Sequence, residues 1–264
     1  MKYRFIAADI DGTLLTSKGE LTERTEKAVR EAVSRGVYFS LSTGRPLQGI
    51  GKLVSALGLE KMPHILYNGA MAVMGEETLY SLTIDPATAR EVVDEGHRRG
   101  ATMICWSDGK LYAESICDKV TFYKSIIGVE PIVVSSLSSV AERGITKFVW
   151  YGDALSTAKD FAELSVAFDK RLNVHPSRVD FLEFVNKDCS KAAAIEKIIG
   201  SLGISREETV AIGDGFNDLK MLAFAGLGVA MGNADERVKE VCKVVTATCD
   251  EDGLAKFIEN YVLR

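Results

Sequence analysis

Three apolar runs, YRFIAAD (3–9), VYFSLST (37–43) and HILYN (64–68), alternate with two stretches of helical period over the first 70 residues. The intervening stretches are LTERTEKAVREAVSRG (21–36), with Thr22 placed to cap its start and Gly36 to stop it, and PLQGIGKLVSAL (46–57), with Pro46 in its first turn. Strand, helix, strand, helix and strand at this spacing predict a parallel sheet with helices on its faces. The last 75 residues repeat the style. SKAAAIEKIIGSLG (190–203) reads as a helix, SREE (205–208) as a capping-box turn and TVAIGDG (209–215) as a strand. NDLKMLAFAG (217–226) is a further helix and LGVAMG (227–232) a further strand, and ADERVKEVC and EDGLAKFIENYVL close the chain as helices.

The middle of the chain breaks the alternation. TMICWSDGKLYAE (102–114) places Asp108–Gly109 between two β-rich runs, a hairpin signal. ITKFVWYG, RLNVHP and VDFLEFV are further strands, separated by the helical segments PATAREVVDEGHRRG and STAKDFAELSVAF. The reading is an α/β fold in three stretches: a core over 1–82, an inserted α+β module over 83–185, and the rest of the core over 186–264.

Ligands of open parallel sheets bind beyond the carboxyl ends of the strands. Three core strands end in chemistry-bearing residues: Asp9-Ile10-Asp11, Ser42-Thr43-Gly44-Arg45 and Gly213-Asp214-Gly215. In a strand, residues i and i+2 share a face, so Asp9 and Asp11 repel each other unless something cationic lies between them. Parallel neighbours would gather three carboxylates, a hydroxyl and a glycine-rich turn at one place, a donor set suited to Mg2+.

Composition narrows the partners. The net charge is −5 with no block of like charges, which argues against a general nucleic-acid or anionic-membrane surface. The apolar run near the N-terminus is cut by Asp9 and is too short for a signal-peptide core, and no segment approaches the length of a membrane span. The five cysteines are scattered, as in a reducing cytosol, so a cytoplasmic protein is expected. Three histidines without H-x-x-x-H spacing do not suggest zinc.

The segments DIDGTLL, STGRP, SKAAAIEKI and GDGFNDLKML occur in the order of the four motifs of the haloacid dehalogenase-like (HAD) hydrolases. With YNGA and the large insert between the second and third motifs, the chain resembles the Cof-type branch. The resemblance spans the whole length and implies a Rossmann-like parallel-sheet core, a C2-type α+β cap, and a Mg2+-dependent phosphatase of a small phosphorylated metabolite such as a sugar phosphate. It implies Asp9 as a nucleophile that forms an aspartyl-phosphate and Asp11 as general acid and then base. Asp9, Asp11 through its carbonyl, and Asp214 would be the metal ligands. Ile10, Thr43, Gly44, Lys191 and Asn217 would bind phosphate, with Gly215 and Asp218 supporting them. The family often has glycine after the third-motif lysine, where this chain has Ala192.

Other roles stay open between two readings. Arg45 contacts substrate or pairs with a carboxylate, and Asn68 lines the cleft or makes a turn. His175, Ser177 and Arg178 contact the leaving group or decorate a hairpin. Trp106, Tyr112 and Phe122 read as core of the insert. A sugar-phosphate mutase or a non-catalytic phosphate sensor on the same scaffold is the alternative, and a mutase would hold both ends of a bisphosphate with insert arginines, of which Arg90, Arg98, Arg99, Arg143, Arg171 and Arg178 are available. A dinucleotide-dependent oxidoreductase would use GDGFND with Asp235, but Asp218 stands where a third glycine is needed.

Overall fold

The computed structural model describes residues 2–75 and 77–264. The chain divides into two compact units. One comprises the residues up to Gly44, Ile50–Tyr80 and Ser190–Arg264, and the other Arg45–Gly49 and Ser81–Cys189.

The first unit is built on a five-stranded parallel sheet in the order Val244–Val245, Leu227–Ala230, Thr209–Gly213, Phe5–Ala8, Tyr38–Leu41. Every residue of Phe5–Ala8, Thr209–Gly213 and Leu227–Ala230 is buried. Strands covered on both faces by helices need such continuous apolar runs rather than alternation. After Tyr38–Leu41 the chain leaves the sheet, and it returns on the opposite side of Phe5–Ala8 with Thr209–Gly213. The order therefore reverses at the first strand, the topological switch point at which open α/β sheets bind ligands. Register aligns the ends: Ala8 pairs with Ile212 on one side and Leu41 on the other. The residues that follow, Asp9, Asp214 and Thr43, leave the sheet along one edge.

Local chemistry sets the helices of this unit. The Glu23–Ser34 helix starts where the Thr22 side chain accepts from the Thr25 N–H, carries Glu23 and Glu26 at its positive end, and buries Ala28, Val29 and Ala32. The Lys191–Leu202 helix starts at Ser190, whose hydroxyl accepts from the Ala193 N–H at 3.1 Å, and ends at left-handed Gly203. It buries Ala194, Ile195, Ile198 and Ile199 in a core shared with Phe5, Ala7, Ala211 and Met221. Ala192 is the second residue of this helix, where alanine is a favourable choice.

The HILYN segment does not join the parallel sheet. Pro63–Leu66 lies in a three-stranded sheet with Met71–Met74 and Glu77–Ser81 and pairs antiparallel with the former. It lies beside the end of the Tyr38–Leu41 strand through the parallel Ser42–Ile65 bridge, the Thr43 N–H to Ile65 carbonyl bond of 2.9 Å and the Leu41 N–H, which donates to His64 Nδ1 at 3.3 Å. The tight turn after it, with Tyr67, Asn68 and Gly69 all at positive φ, reverses the chain at once and makes the hairpin. That reversal gives the strand its antiparallel partner Met71–Met74, while its direction stays parallel to Tyr38–Leu41 at the Ser42–Ile65 bridge.

The second unit carries a six-stranded sheet in the order Leu172–Arg178, Phe181–Asn186, Lys147–Tyr151, Thr102–Ser107, Lys110–Ala113, Ile132–Val133. All pairs are antiparallel except the last. Asp108 and Gly109 both take positive φ, the conformation a two-residue hairpin turn demands. Helices Pro86–Arg99 and Ala154–Ala167 pack on one face of this sheet, and Val92, Val93, Leu164, Met103, Phe148, Trp150 and Phe184 share one core. Trp106 and Tyr112 are buried in this unit, whereas Phe122 is partly exposed against Tyr151 and Phe181.

Candidate active site

The Phe5–Ala8 strand ends one residue before Asp9, and the chain then winds into a tight loop in which the Leu14 and Leu15 N–H groups return to the Asp9 and Ile10 carbonyls. This winding ends the strand alternation, so the environments of the two motif carboxylates diverge. Asp9 is buried and Asp11 exposed. The cation beside Asp9 is Lys191, whose Nζ donates to Asp9 Oδ1 and to Asp218 Oδ1, each at 2.6 Å. The Lys191 side chain is fully enclosed at the first turn of its helix.

Two glycines allow this assembly. A Cβ on Gly69 would lie 2.1 Å from the Ser190 carbonyl oxygen, so the 67–69 turn packs directly on the start of the Lys191 helix. A Cβ on Gly12 would lie 2.4 Å from Asp214 Oδ2, so the first-motif loop and the fourth-motif carboxylate can meet.

Asp218 is consumed within the protein. One oxygen binds Lys191, and the other accepts from the Asp214 and Gly215 N–H groups at 3.1 and 3.0 Å. A dinucleotide reading fails here, because the N–H groups of a glycine-rich turn that would receive a pyrophosphate already serve a carboxylate. Asp235 instead accepts from the Arg237 N–H and pairs with the Arg237 side chain.

Carboxylate oxygens of Asp9, Asp214 and Asp218 lie within 4.8 Å of one another. Burial pushes the Asp9 carboxyl up to about 7; Lys191 opposes this, while Asp218 and Asp214 add repulsion. Burial also raises Asp214, against the Thr13 hydroxyl, which donates to its Oδ1 at 2.9 Å. Lys191 is held above its ordinary value: burial lowers it, but Asp9 and Asp218 together outweigh that. One lysine thus faces three acidic side chains, and an oxygen-seeking divalent cation fits the excess of hard donors. With Asp218 committed to Lys191 and two N–H groups, Asp9 and Asp214 are the carboxylates suited to such an ion.

Thr43 is buried at the end of its strand, and its carbonyl accepts from the Asn68 N–H at 2.9 Å. A Cβ on Gly44 would lie 3.1 Å from the Asn68 amide, and Asn217 Nδ2 donates to Asn68 Oδ1 at 3.2 Å. Asn68 therefore makes the turn and also lies between the second and fourth motifs. Asn233 joins the same region, donating from Nδ2 to the Gly12 carbonyl at 2.9 Å and to Asp214 Oδ2 at 3.4 Å. Thr13 and Asn233 were not singled out from sequence as site residues. The signal for Asn233 was its place just after the LGVAMG strand, one more carboxyl end of the same sheet.

The remaining candidates lie in the second unit. Arg45 Nη1 donates to the Gly49 carbonyl at 3.4 Å. His175 Nε2 lies 3.7 Å from Glu183, which forms a buried 3.0 Å ion pair with Lys147. Burial lowers the His175 pKa. Burial also works to raise Glu183, but Lys147 and His175, with a hydrogen bond from Ser177, hold it below the ordinary carboxylate range. Arg178 pairs with Asp180 and lies over Phe122 and Phe181. Arg90, Arg98, Arg99 and Arg171 are each paired with carboxylates of this unit, so they do not form the uncompensated cluster that a second phosphate requires.

The sequence profile of the haloacid dehalogenase-like hydrolases matches residues 6–258. A pyridoxal phosphate phosphatase of Escherichia coli is 30% identical over 277 residues, covering 100% of both chains. A 5-amino-6-(5-phospho-D-ribitylamino)uracil phosphatase of Bacillus subtilis is 28% identical over 279 residues, covering 98% of this chain and 96% of its own. The crystal structure of a haloacid dehalogenase-like hydrolase from Bacteroides thetaiotaomicron superposes with a TM-score of 0.89 at 30% identity, covering 97% of this chain and 98% of that one. With its strand-end carboxylates gathered around a buried lysine, the chain belongs to the haloacid dehalogenase-like hydrolases, as a phosphatase of the Cof-type branch.

Proposed function

We propose that the protein hydrolyses the phosphomonoester of a small metabolite in two transfers through Asp9, with Mg2+ as cofactor. The observation that carries this reading is Lys191, fully buried and bonded at 2.6 Å to both Asp9 and Asp218, with Asp214 beside them. A buried lysine in that place keeps the Asp9 carboxylate oriented and its charge partly compensated while a dianionic phosphate approaches.

In the first transfer an Asp9 oxygen attacks phosphorus, the P–O bond to the leaving alcohol breaks, and Asp11 supplies the proton that alcohol takes up. Asp11 is exposed and can meet both the departing and the incoming oxygen. In the second transfer Asp11 removes a proton from water, whose oxygen attacks phosphorus as the bond to Asp9 breaks. Phosphate leaves with Asp9 and Asp11 restored. Ile10, Thr43, Gly44 and Asn217 are assigned to the phosphoryl oxygens, with Lys191. Asp9, the Asp11 carbonyl and Asp214 would hold Mg2+, which when bound offsets repulsion between carboxylate and phosphate and polarises the transferring group. Discrimination among alcohols is assigned to the inserted unit, since the core chemistry is common to any phosphate ester.

The relatives support a small phosphorylated metabolite, since one is a pyridoxal phosphate phosphatase and another a 5-amino-6-(5-phospho-D-ribitylamino)uracil phosphatase. The test is phosphate release from a broad phosphomonoester panel that includes pyridoxal phosphate, flavin mononucleotide and hexose phosphates, with Mg2+ or with EDTA. Mg2+-dependent release that Asp9→Asn lowers by roughly 10⁴-fold or more is the expected result. Equal release in EDTA, or a rate that the Asp9→Asn substitution leaves unchanged, contradicts it.

A further inference from the structure

Asn233 is tied at both ends of its amide. Its Oδ1 accepts from the Cys249 backbone N–H at 2.8 Å, and a backbone N–H can only donate, so this bond fixes which way the amide points. The Nδ2 donors are thereby turned toward the first-motif loop. They reach the Gly12 carbonyl at 2.9 Å and Asp214 Oδ2 at 3.4 Å. The other Asp214 oxygen is held by Thr13 at 2.9 Å. Asp214 is thus gripped on one oxygen by the first-motif loop and on the other by a residue that also grips that loop.

We propose that Asn233 is a positioning residue for Asp214, fixing the carboxylate and the Gly12 peptide beside Asp11 in the arrangement that receives the divalent cation. This rests on the reading of Asp214 as a metal ligand. A neutral amide suits the task, because it orients a carboxylate without cancelling the charge the cation needs, as a lysine or arginine would. Its anchor on Cys249 also makes the geometry depend on the 248–251 turn, which is itself closed by Glu251 accepting from the Thr248 hydroxyl at 2.9 Å.

The test is the Mg2+ dissociation constant of the whole protein without substrate, by titration calorimetry, beside the metal-free unfolding temperature. Asn233→Ala removes both ties. Asn233→Gln keeps the amide but displaces it, so it preserves the polar balance and decides the case if the alanine variant does not fold. Both are expected to weaken Mg2+ binding about tenfold. A residue that only braces the loop would lower the unfolding temperature and leave the dissociation constant in place; Mg2+ binding within about twofold of the parent in the folded variants therefore overturns the proposal. Asp214→Asn separates the two levels of the argument. If it binds Mg2+ like the parent, the reading of Asp214 fails and takes the proposal with it. If it loses binding while the Asn233 variants keep theirs, only the role of Asn233 fails.

Discussion

Among single residues, the site is governed by an imbalance of charge. Asp9 and Asp218 share Lys191, Asp214 stands next to them, and burial pushes the Asp9 carboxyl up to about 7. An acid whose folded pKa lies above its unfolded value favours folding while protonated, and that contribution is lost as pH rises from about 4 through about 7. Asp214, also raised by burial, acts in the same direction. Mg2+ competes with protons for these oxygens. Its effect on the unfolding temperature, read against EDTA by scanning fluorimetry, is therefore predicted to be small near about pH 5 and to grow toward about pH 8. An equal Mg2+ effect at both values would mean that the carboxylates are ionised throughout. That Asp9 and Asp214 meet was legible in the sequence because both follow apolar strand runs, and Lys191 joined them only through the resemblance of its segment to the third family motif. The unequal burial of Asp9 and Asp11 was not legible, since it follows from the tight 9–15 loop, whose backbone bonds leave no periodic trace.

For elements, the position of the Lys191 helix depends on the turn at 67–69. Gly69 has φ of 100°, and a side chain there would collide with the Ser190 carbonyl and the Lys191 nitrogen, which are backbone atoms that cannot swing aside. Gly69→Ala is predicted to cost about 3 kcal/mol or more in urea unfolding and to lower kcat, because the helix start that carries Lys191 must retreat. Unchanged stability and turnover would contradict that packing. The helices themselves were readable from caps and period, as at Thr22, Ser190 and Gly203. The strand HILYN was readable too, and it lies parallel to the end of Tyr38–Leu41 at the Ser42–Ile65 bridge; its antiparallel partner Met71–Met74 was not, because that pairing is decided by the positive-φ turn that follows, and a lone Asn-Gly does not say whether a chain reverses or crosses over.

For the whole molecule, a parallel sheet reversing at its first strand brings three distant segments to one edge, and a self-contained antiparallel unit interrupts the core between them. The change from parallel to antiparallel style was visible in the sequence. The small ties that fix the edge, such as Asn68 to Asn217 and Asn233 to Gly12, were not, because each joins residues far apart in the chain through one side chain. The central claim is that phosphate passes through Asp9. Asp11→Asn, mixed with Mg2+ and p-nitrophenyl phosphate and quenched in acid, tests it most directly. The p-nitrophenolate leaves without needing a proton, while release from Asp9 still needs a base. The predicted result is one phosphoryl group on the Asp9 peptide by mass spectrometry; p-nitrophenol released with that peptide unmodified, or with the phosphoryl group on another residue, would contradict the account.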